Sequence, residues 1–247
     1  MAILSSGRKQ KSPRLPEGVR IYAIGDIHGR ADLLDRVFAR IDAHVAAHPI
    51  ARPVEVFIGD YIDRGPASFE VIEQLIRREQ SHEIVPLKGN HDTFVFEFLR
   101  RPSALQDWSL IGGRETLLSY RLKPFLNPDP NAQKELSIAM RAALPKTHRM
   151  FFSSLQTSFS CGGYFFVHAG VRPRIALADQ REEDLLWIRD DFLLWEQPFE
   201  KVIIHGHTPV REVDIRPNRI NIDTGAYATG QLTCLMMERE AVEPLIP

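Results

Sequence analysis

Cysteine is scarce: Cys161 and Cys234 are the only two in 247 residues, and neither sits in a C-x-x-C pair. That excludes a disulfide scaffold and thiolate metal chemistry, and it suits a reducing, cytoplasmic setting. An excess of either charge is missing too. Lysine and arginine number 31 against 32 acidic residues, so the formal net charge is -1. No global field then draws the chain to nucleic acid or to an anionic membrane. No apolar run approaches the roughly 20 residues that span a bilayer. The stretch Met1–Gly18 lacks an apolar core of signal-peptide length and carries Arg8, Lys9, Lys11 and Arg14. It reads as a flexible tail, with phosphate or membrane tethering as the alternative. Internal repeats and low-complexity tracts are also lacking. Any anion binding must come from a local site on an otherwise ordinary chain, 44% hydrophobic and 26% charged. A chain of this length buries roughly 70–75% of its extended surface, enough for a sizeable core.

What is present is a repeated local pattern. Val19–Ile24 reads as a buried strand running into Gly25-Asp26-Ile27-His28-Gly29. Leu33, Leu34, Val37, Phe38, Ile41 and Val45 then recur at helical spacing, with Pro49 just beyond. The strand Val54–Ile58 runs into Gly59-Asp60-Tyr61-Ile62-Asp63-Arg64-Gly65, and a helix with Phe69, Ile72, Leu75 and Ile76 on one face follows. The strand Glu83–Leu87 ends at Gly89-Asn90-His91-Asp92. In open α/β sheets the ligand sites lie beyond the carboxyl ends of the strands, so the three loops should converge. Phe94 to about Leu155 reads as a helical insert broken at Pro102, Pro124 and Asn127–Pro130. Short strands are expected at Ser158–Ser160, Tyr164–Val167, Val202–Ile204, Arg219–Ile222 and Leu232–Met237, with a short helix over Asp184–Leu194. Two of these strands lead into histidine loops, His168-Ala169-Gly170 and His205-Gly206-His207-Thr208-Pro209. The expected fold is α/β: two packed sheets flanked by helices, one catalytic domain over 19–247.

Asp26, His28, Asp60, Asn90, His168 and His207 are oxygen and nitrogen donors without a thiolate, a set for manganese, iron or zinc. The number of donors and the carboxylates suggest two ions bridged by an aspartate, roughly 3.5–4 Å apart. Two divalent ions less the charges of Asp26 and Asp60 leave about +2 in the pocket, a field for a phosphate dianion. Arg64 and Arg189 would add planar donor forks that match phosphate oxygens. A metal lowers the pKa of bound water from 15.7 to about 7, so hydroxide is available as nucleophile without a protein side chain. His91 is the candidate acid for the leaving oxygen, and Asp63 the carboxylate that holds its imidazole.

In this order the five motifs resemble those of the phosphoprotein phosphatase branch of the metallophosphoesterases, bacterial and phage serine/threonine phosphatases in particular, from about Val19 to Met237. The resemblance implies a four-layer β-sandwich flanked by helices. It implies Asp26, His28 and bridging Asp60 on the first metal, and Asp60, Asn90, His168 and His207 on the second. It implies His91 paired with Asp63 as the acid, with Arg64 and Arg189 on phosphate. Two manganese ions are the expected cofactor, and phosphoserine or phosphothreonine in a protein or peptide the expected substrate. A symmetrical diadenosine tetraphosphate hydrolase is the alternative. Asp92 stands where many relatives have glutamate, at a position that is not a ligand. Pro209 stands where nuclease and phosphodiesterase branches often carry a further histidine, so nucleic acid is not an expected substrate.

The bland readings stand beside these. Asp and Asn are common turn formers. His205 competes with His207 for the metal, and Arg189 reads alternatively as one partner of a helix-surface salt bridge. His44 and His48, one turn apart, read as a solvated helix face, and Trp187 and Trp195 as core.

Overall fold

The computed structural model describes residues 13–124 and 126–245. β1 (Val19–Ile24), α1 (Ala31–Ala47), β2 (Arg52–Phe57), α2 (Ser68–Glu79) and β3 (Ile84–Pro86) form two parallel crossover units. The insert follows as α3 (Asn90–Arg100), a 3-10 turn at Pro102–Ala104, α4 (Leu105–Leu110), α5 (Gly113–Ser119), α6 (Pro130–Ala143) and α7 (Lys146–Ser154). Local chemistry sets its start points. Asp129 caps α6 by accepting the Ala132 N–H at 2.9 Å, and Pro130 opens the helix with its φ already fixed.

Then come β4 (Ser158–Cys161), β5 (Tyr164–Val167), α8 (Glu182–Trp187), α9 (Asp190–Leu193), β6 (Val202–His205), β7 (Asp214–Ile215), β8 (Arg219–Asn221), α10 (Ala226–Thr229), β9 (Cys234–Glu238) and β10 (Ala241–Pro244). One sheet has the order β10-β9-β1-β2-β3 and the other β4-β5-β6-β8-β7. Both are mixed: β9 runs antiparallel to β1, and β4 antiparallel to β5.

Period-two alternation assigns the faces. Ile21, Ala23, Val54 and Val56 of the first sheet meet Tyr164, Phe166, Ile204 and Ile220 of the second in one buried layer. Tyr22, Ile24 and Phe57 face the other way, against α1, α2 and the insert helices. Phe165, Val167 and Ile203 pack outward on Leu185, Ile188 and Phe192. The result is an α/β sandwich of two mixed sheets with helices on both outer faces. Each fully buried aliphatic or aromatic side chain in it contributes about 1.5–3 kcal/mol.

Three expectations are corrected. The single helix over Asp184–Leu194 is broken into α8 and α9, because Ile188 is extended (ψ 142) and Arg189 sits at φ -130, ψ -102. The strand expected over Leu232–Met237 is displaced to β9, and it turns back into β10 as a hairpin not foreseen. Residues 1–12 of the expected tail lie outside the described residues. Residues 13–18 are docked: Leu15 is buried, its N–H donates to Arg239 O (2.8 Å), and Gly163 N–H donates to Arg14 O (2.9 Å).

Candidate metal centre

The loops after β1, β2, β3, β5 and β6 meet at one end of the sandwich and are tied together through backbone. Ile27 and His28 donate their N–H groups to Asp60 O at 3.1 and 2.8 Å. The Asp92 carboxylate accepts from the N–H groups of Gly89 (2.8 Å), Asp60 (3.0 Å) and Tyr61 (3.1 Å), which clamps the third loop to the second. Gly206 N–H donates to His168 O (2.8 Å), and His207 N–H to Asp26 Oδ2 (3.1 Å), which closes the ring of loops. Eight non-glycine residues among those described have positive φ, and five of them are His28, Asp60, Asp63, Arg64 and His207. Such conformations cost about 1–3 kcal/mol each and concentrate where function requires them. Glycine is needed at two points of contact. A Cβ on Gly89 would strike Asp60, and one on Gly206 would strike the Asp26 carboxylate.

The donor atoms fall into two clusters that share Asp60. His28, Asp60 and His91 form one, and Asp60, His168 and His207 the other, with ligand atoms within 4.8 Å of one another in each. Asn90 joins the second: its Oδ1 lies 2.8 Å from His168 Nε2 and 2.9 Å from His207 Nδ1. Asp26 stands outside both clusters, against the His207 backbone. His205 also stays outside. Its ring packs edge-on to Phe192 and its Nε2 has no partner among the described residues.

Tautomers follow from the backbone partners. His28 Nδ1 donates to Ile62 O (2.8 Å) and His168 Nδ1 to Ile58 O (2.9 Å), so each Nε2 carries a lone pair. Those lone pairs face Asp60 Oδ2 at 3.5 Å and Asp60 Oδ1 at 3.4 Å. Electron pairs directed at both oxygens of one carboxylate are what a cation on each side would separate. Burial holds the imidazoles neutral, lowering His28 to about 3 and His207 to about 2. Burial, Asp223 and Asp60 together push the Asp26 carboxyl well up, and burial raises Asp223 to about 6. Neutral imidazoles beside crowded carboxylates make a donor set for divalent cations.

The other expected residues surround this centre. His91 Nδ1 donates to Asp63 Oδ2 at 2.7 Å, leaving Nε2 aimed inward, 3.8 Å from Asp60 Oδ2. Burial alone would lower His91, but the Asp60 and Asp63 charges overcome it and raise its pKa. Arg64 reaches within 3.3 Å of His91 Nε2, its guanidinium 4.7 Å from the centre of the Tyr227 ring. Arg189 is exposed, donates to Thr208 Oγ1 (3.2 Å) and makes no ion pair among the described residues. Trp187 is not core: 45% exposed, its ring edge meets His207 at 6.2 Å.

Several contributors were not foreseen. Trp108 and Thr116, from the insert, donate to the Asp63 carboxylate at 2.6–2.9 Å. Asp223 sits buried in an Asp-Thr-Gly turn directly after a strand, as the metal loops do. Tyr227, 39% exposed, caps Arg64 and meets His28 edge-on.

With fold and site in view, the class is defined. The chain belongs to the calcineurin-like phosphoesterase family, whose model matches residues 19–231. It is a metallophosphoesterase, and the family chemistry is hydrolysis of phosphoesters at a pair of divalent metals. Among the relatives is a bis(5'-nucleosyl)-tetraphosphatase PrpE [asymmetrical] of Anoxybacillus flavithermus, 27% identical, the match covering 91% of this chain and 94% of that one. A protein of the same name from Geobacillus is 27% identical over 87% of this chain and 89% of its own. Those names fit neither the expected phosphoprotein phosphatase nor the symmetrical alternative. A solved structure described provisionally as a diadenosine tetraphosphatase superimposes with TM-score 0.61 at 17% identity, covering 91% of this chain and 92% of that one. A cold-active protein tyrosine phosphatase gives 0.57 at 16%, over 94% and 81%. At such identities the likeness is one of fold. Among the described residues no helix is long and apolar enough to cross a membrane.

Proposed function

We propose that this chain hydrolyses a dinucleoside tetraphosphate asymmetrically, giving a nucleoside triphosphate and a nucleoside monophosphate. The observation that carries the reading is the nearly full-length likeness to relatives bearing that name, at 27% identity. The site supports it. His28 and the shared Asp60 would hold one ion, with Asp26, which rests against the His207 backbone, as its further ligand, and Asp60, Asn90, His168 and His207 would hold the other, a mixed oxygen and nitrogen set that suits manganese, iron or zinc. When bound, two such ions supply Lewis acidity toward phosphate oxygens and lower the pKa of water far enough for attack near neutral pH.

The side chains do the rest. Arg64 and Arg189 grip non-bridging phosphate oxygens through their donor forks. His91, with Nδ1 held by Asp63, keeps a proton on Nε2 for the departing oxygen. Water adds to phosphorus and releases one proton to the medium, one anhydride bond breaks, the His91 proton passes to the leaving phosphate oxygen, and His91 regains a proton from the medium. Trp187 beside Arg189, and Tyr227 beside Arg64, offer exposed rings on which the bases can stack.

A phosphoserine or phosphothreonine protein is the second reading, resting on the resemblance of the five loop motifs to phosphoprotein phosphatases; Thr208-Pro209 after His207 separates both readings from the nuclease branches. Manganese-supplemented enzyme is given diadenosine tetraphosphate and a phosphothreonine peptide side by side, with products separated by anion exchange. Equal amounts of ATP and AMP, formed at a higher kcat/KM than peptide phosphate release, are expected. ADP as sole product would mean symmetrical cleavage, and faster peptide turnover would hand the case to the phosphoprotein reading.

A further inference from the structure

Away from the metal loops, a cavity of about 660 Å³ opens between α1 and the segment that leads into β9. That volume lies within the roughly 300–1,000 Å³ of small-molecule sites. Its floor is apolar, with Leu33 and Val37 from α1 and Leu232 from the segment opposite. Its rim is basic: Arg36 and Arg40 stand one helical turn apart on α1, and Arg211 faces them from the loop after β6. Glu212 is the one carboxylate among the lining residues. The ion pairs formed by the described residues use up none of these three arginines, although Arg20, Arg30, Arg78, Arg172 and Arg219 are all paired.

An apolar floor under a rim with a surplus of unpaired arginine selects by chemistry. A purely apolar ligand leaves the guanidinium groups without a counter-charge, and a bare inorganic anion leaves the floor wet. The wall opposite α1 also belongs to the site loops. Thr224 lines the cavity, directly after Asp223, and its hydroxyl bonds Gln231 O (3.0 Å) and the Thr233 hydroxyl (2.7 Å), both in the same wall. Tyr227, three residues on, lies against Arg64.

We propose that this cavity binds an amphipathic organic anion, an aliphatic or aromatic body bearing one carboxylate, sulfonate or phosphate head, and that the ligand acts on the metal loops through the segment 223–233. The inference does not depend on which phosphoester the enzyme cleaves. The probe is 1-octanesulfonate, which has no phosphoester to hydrolyse. Binding to manganese-loaded protein is measured by calorimetry, with sodium sulfate and 1-octanol as the two half-ligands. Arg36→Gln/Arg40→Gln is expected to weaken 1-octanesulfonate binding by about tenfold or more, the loss of two charge-assisted contacts. Asp60→Asn should bind it as wild type does, and thermal melting checks that both variants are folded. Saturating probe should change the rate of p-nitrophenyl phosphate hydrolysis by wild type and leave Arg36→Gln/Arg40→Gln unaffected. Equal binding by the double arginine variant, loss of binding in Asp60→Asn, or sulfate binding as tightly as the sulfonate would overturn the site. An unaltered hydrolysis rate at saturation would overturn its action on the metal loops.

Discussion

Trp108 shows how a residue far from the motifs enters the chemistry. Its indole N–H lies 2.9 Å from both Asp63 oxygens, Thr116 donates to Oδ1 at 2.6 Å, and His91 donates to Oδ2 at 2.7 Å. Burial pushes the Asp63 carboxyl up, and these hydrogen bonds pull it back toward the ionised form. The ionised form is the one that accepts the Nδ1 proton of His91 and stabilises the imidazolium, which carries its second proton on the inward Nε2. Trp108→Phe keeps the ring stacked on Phe94 but removes the donor. Outer hydrogen bonds of this kind are worth about tenfold to a hundredfold in activity. The expected result is a fall of that size in kcat, with KM and bound manganese unchanged and the alkaline limb of the kcat–pH profile displaced. An unaltered kcat and profile would show that Asp63 needs no such support. The same lesson applies to Asp92. Its position is not among the donors, yet it holds three backbone N–H groups from two loops, so it shapes the centre without touching it.

Between elements, Arg78 is the joint of the first sheet with its helices. It rises from α2, meets Glu55 on β2 through Nε and Nη2 at 2.6–3.0 Å, and reaches Asp42 on α1 at 2.6–3.0 Å. Glu55 is 2% exposed, so Arg78→Met would leave a buried carboxylate with no counter-charge. The expected loss is about 3–5 kcal/mol of stability by urea unfolding. Arg78→Met/Glu55→Leu should recover most of it, and a double variant as unstable as the single one would contradict the pairing argument. This joint was not legible in the sequence, because Arg78, Asp42 and Glu55 lie on three elements whose register only the fold supplies. The metal loops were legible for the opposite reason: each carries its donors directly after a strand, so knowing the strand places the donor. The break at Ile188–Arg189 was hidden because Leu185, Leu186, Phe192 and Leu193 keep helical spacing across it and no proline or glycine marks it. The turn is fixed instead by tertiary bonds such as Ala169 N–H to Leu185 O at 2.8 Å. Asp223 was passed over because an Asp-Thr-Gly run reads as a plain turn, and only its burial beside Asp26 separates it from one.

At the scale of the molecule, the two sheets are joined by an apolar layer through their middle and by the donor residues at one end. Asp26, His28, Asp60 and Asn90 come from the first sheet's loops, His168 and His207 from the second's. The ion held by Asp60, Asn90, His168 and His207 would therefore cross-link the sheets, and both ions would bind the folded chain far better than an unfolded one. By linkage, free metal at about 100 times its dissociation constant adds roughly 2.7 kcal/mol of stability per site. For a chain of this size each kcal/mol moves Tm by about 2–4 °C, so chelation should lower Tm by roughly 5–11 °C for each ion lost and about 11–22 °C for both. Differential scanning fluorimetry of wild type in EDTA and in excess manganese tests this directly. His168→Ala removes a donor from the second ion only, so about half of the manganese-dependent rise in Tm should remain. A wild-type Tm indifferent to chelation would mean that the carboxylates and imidazoles around Asp60 settle their lone pairs without cations. The two-metal reading would then fail at its base, whatever the substrate.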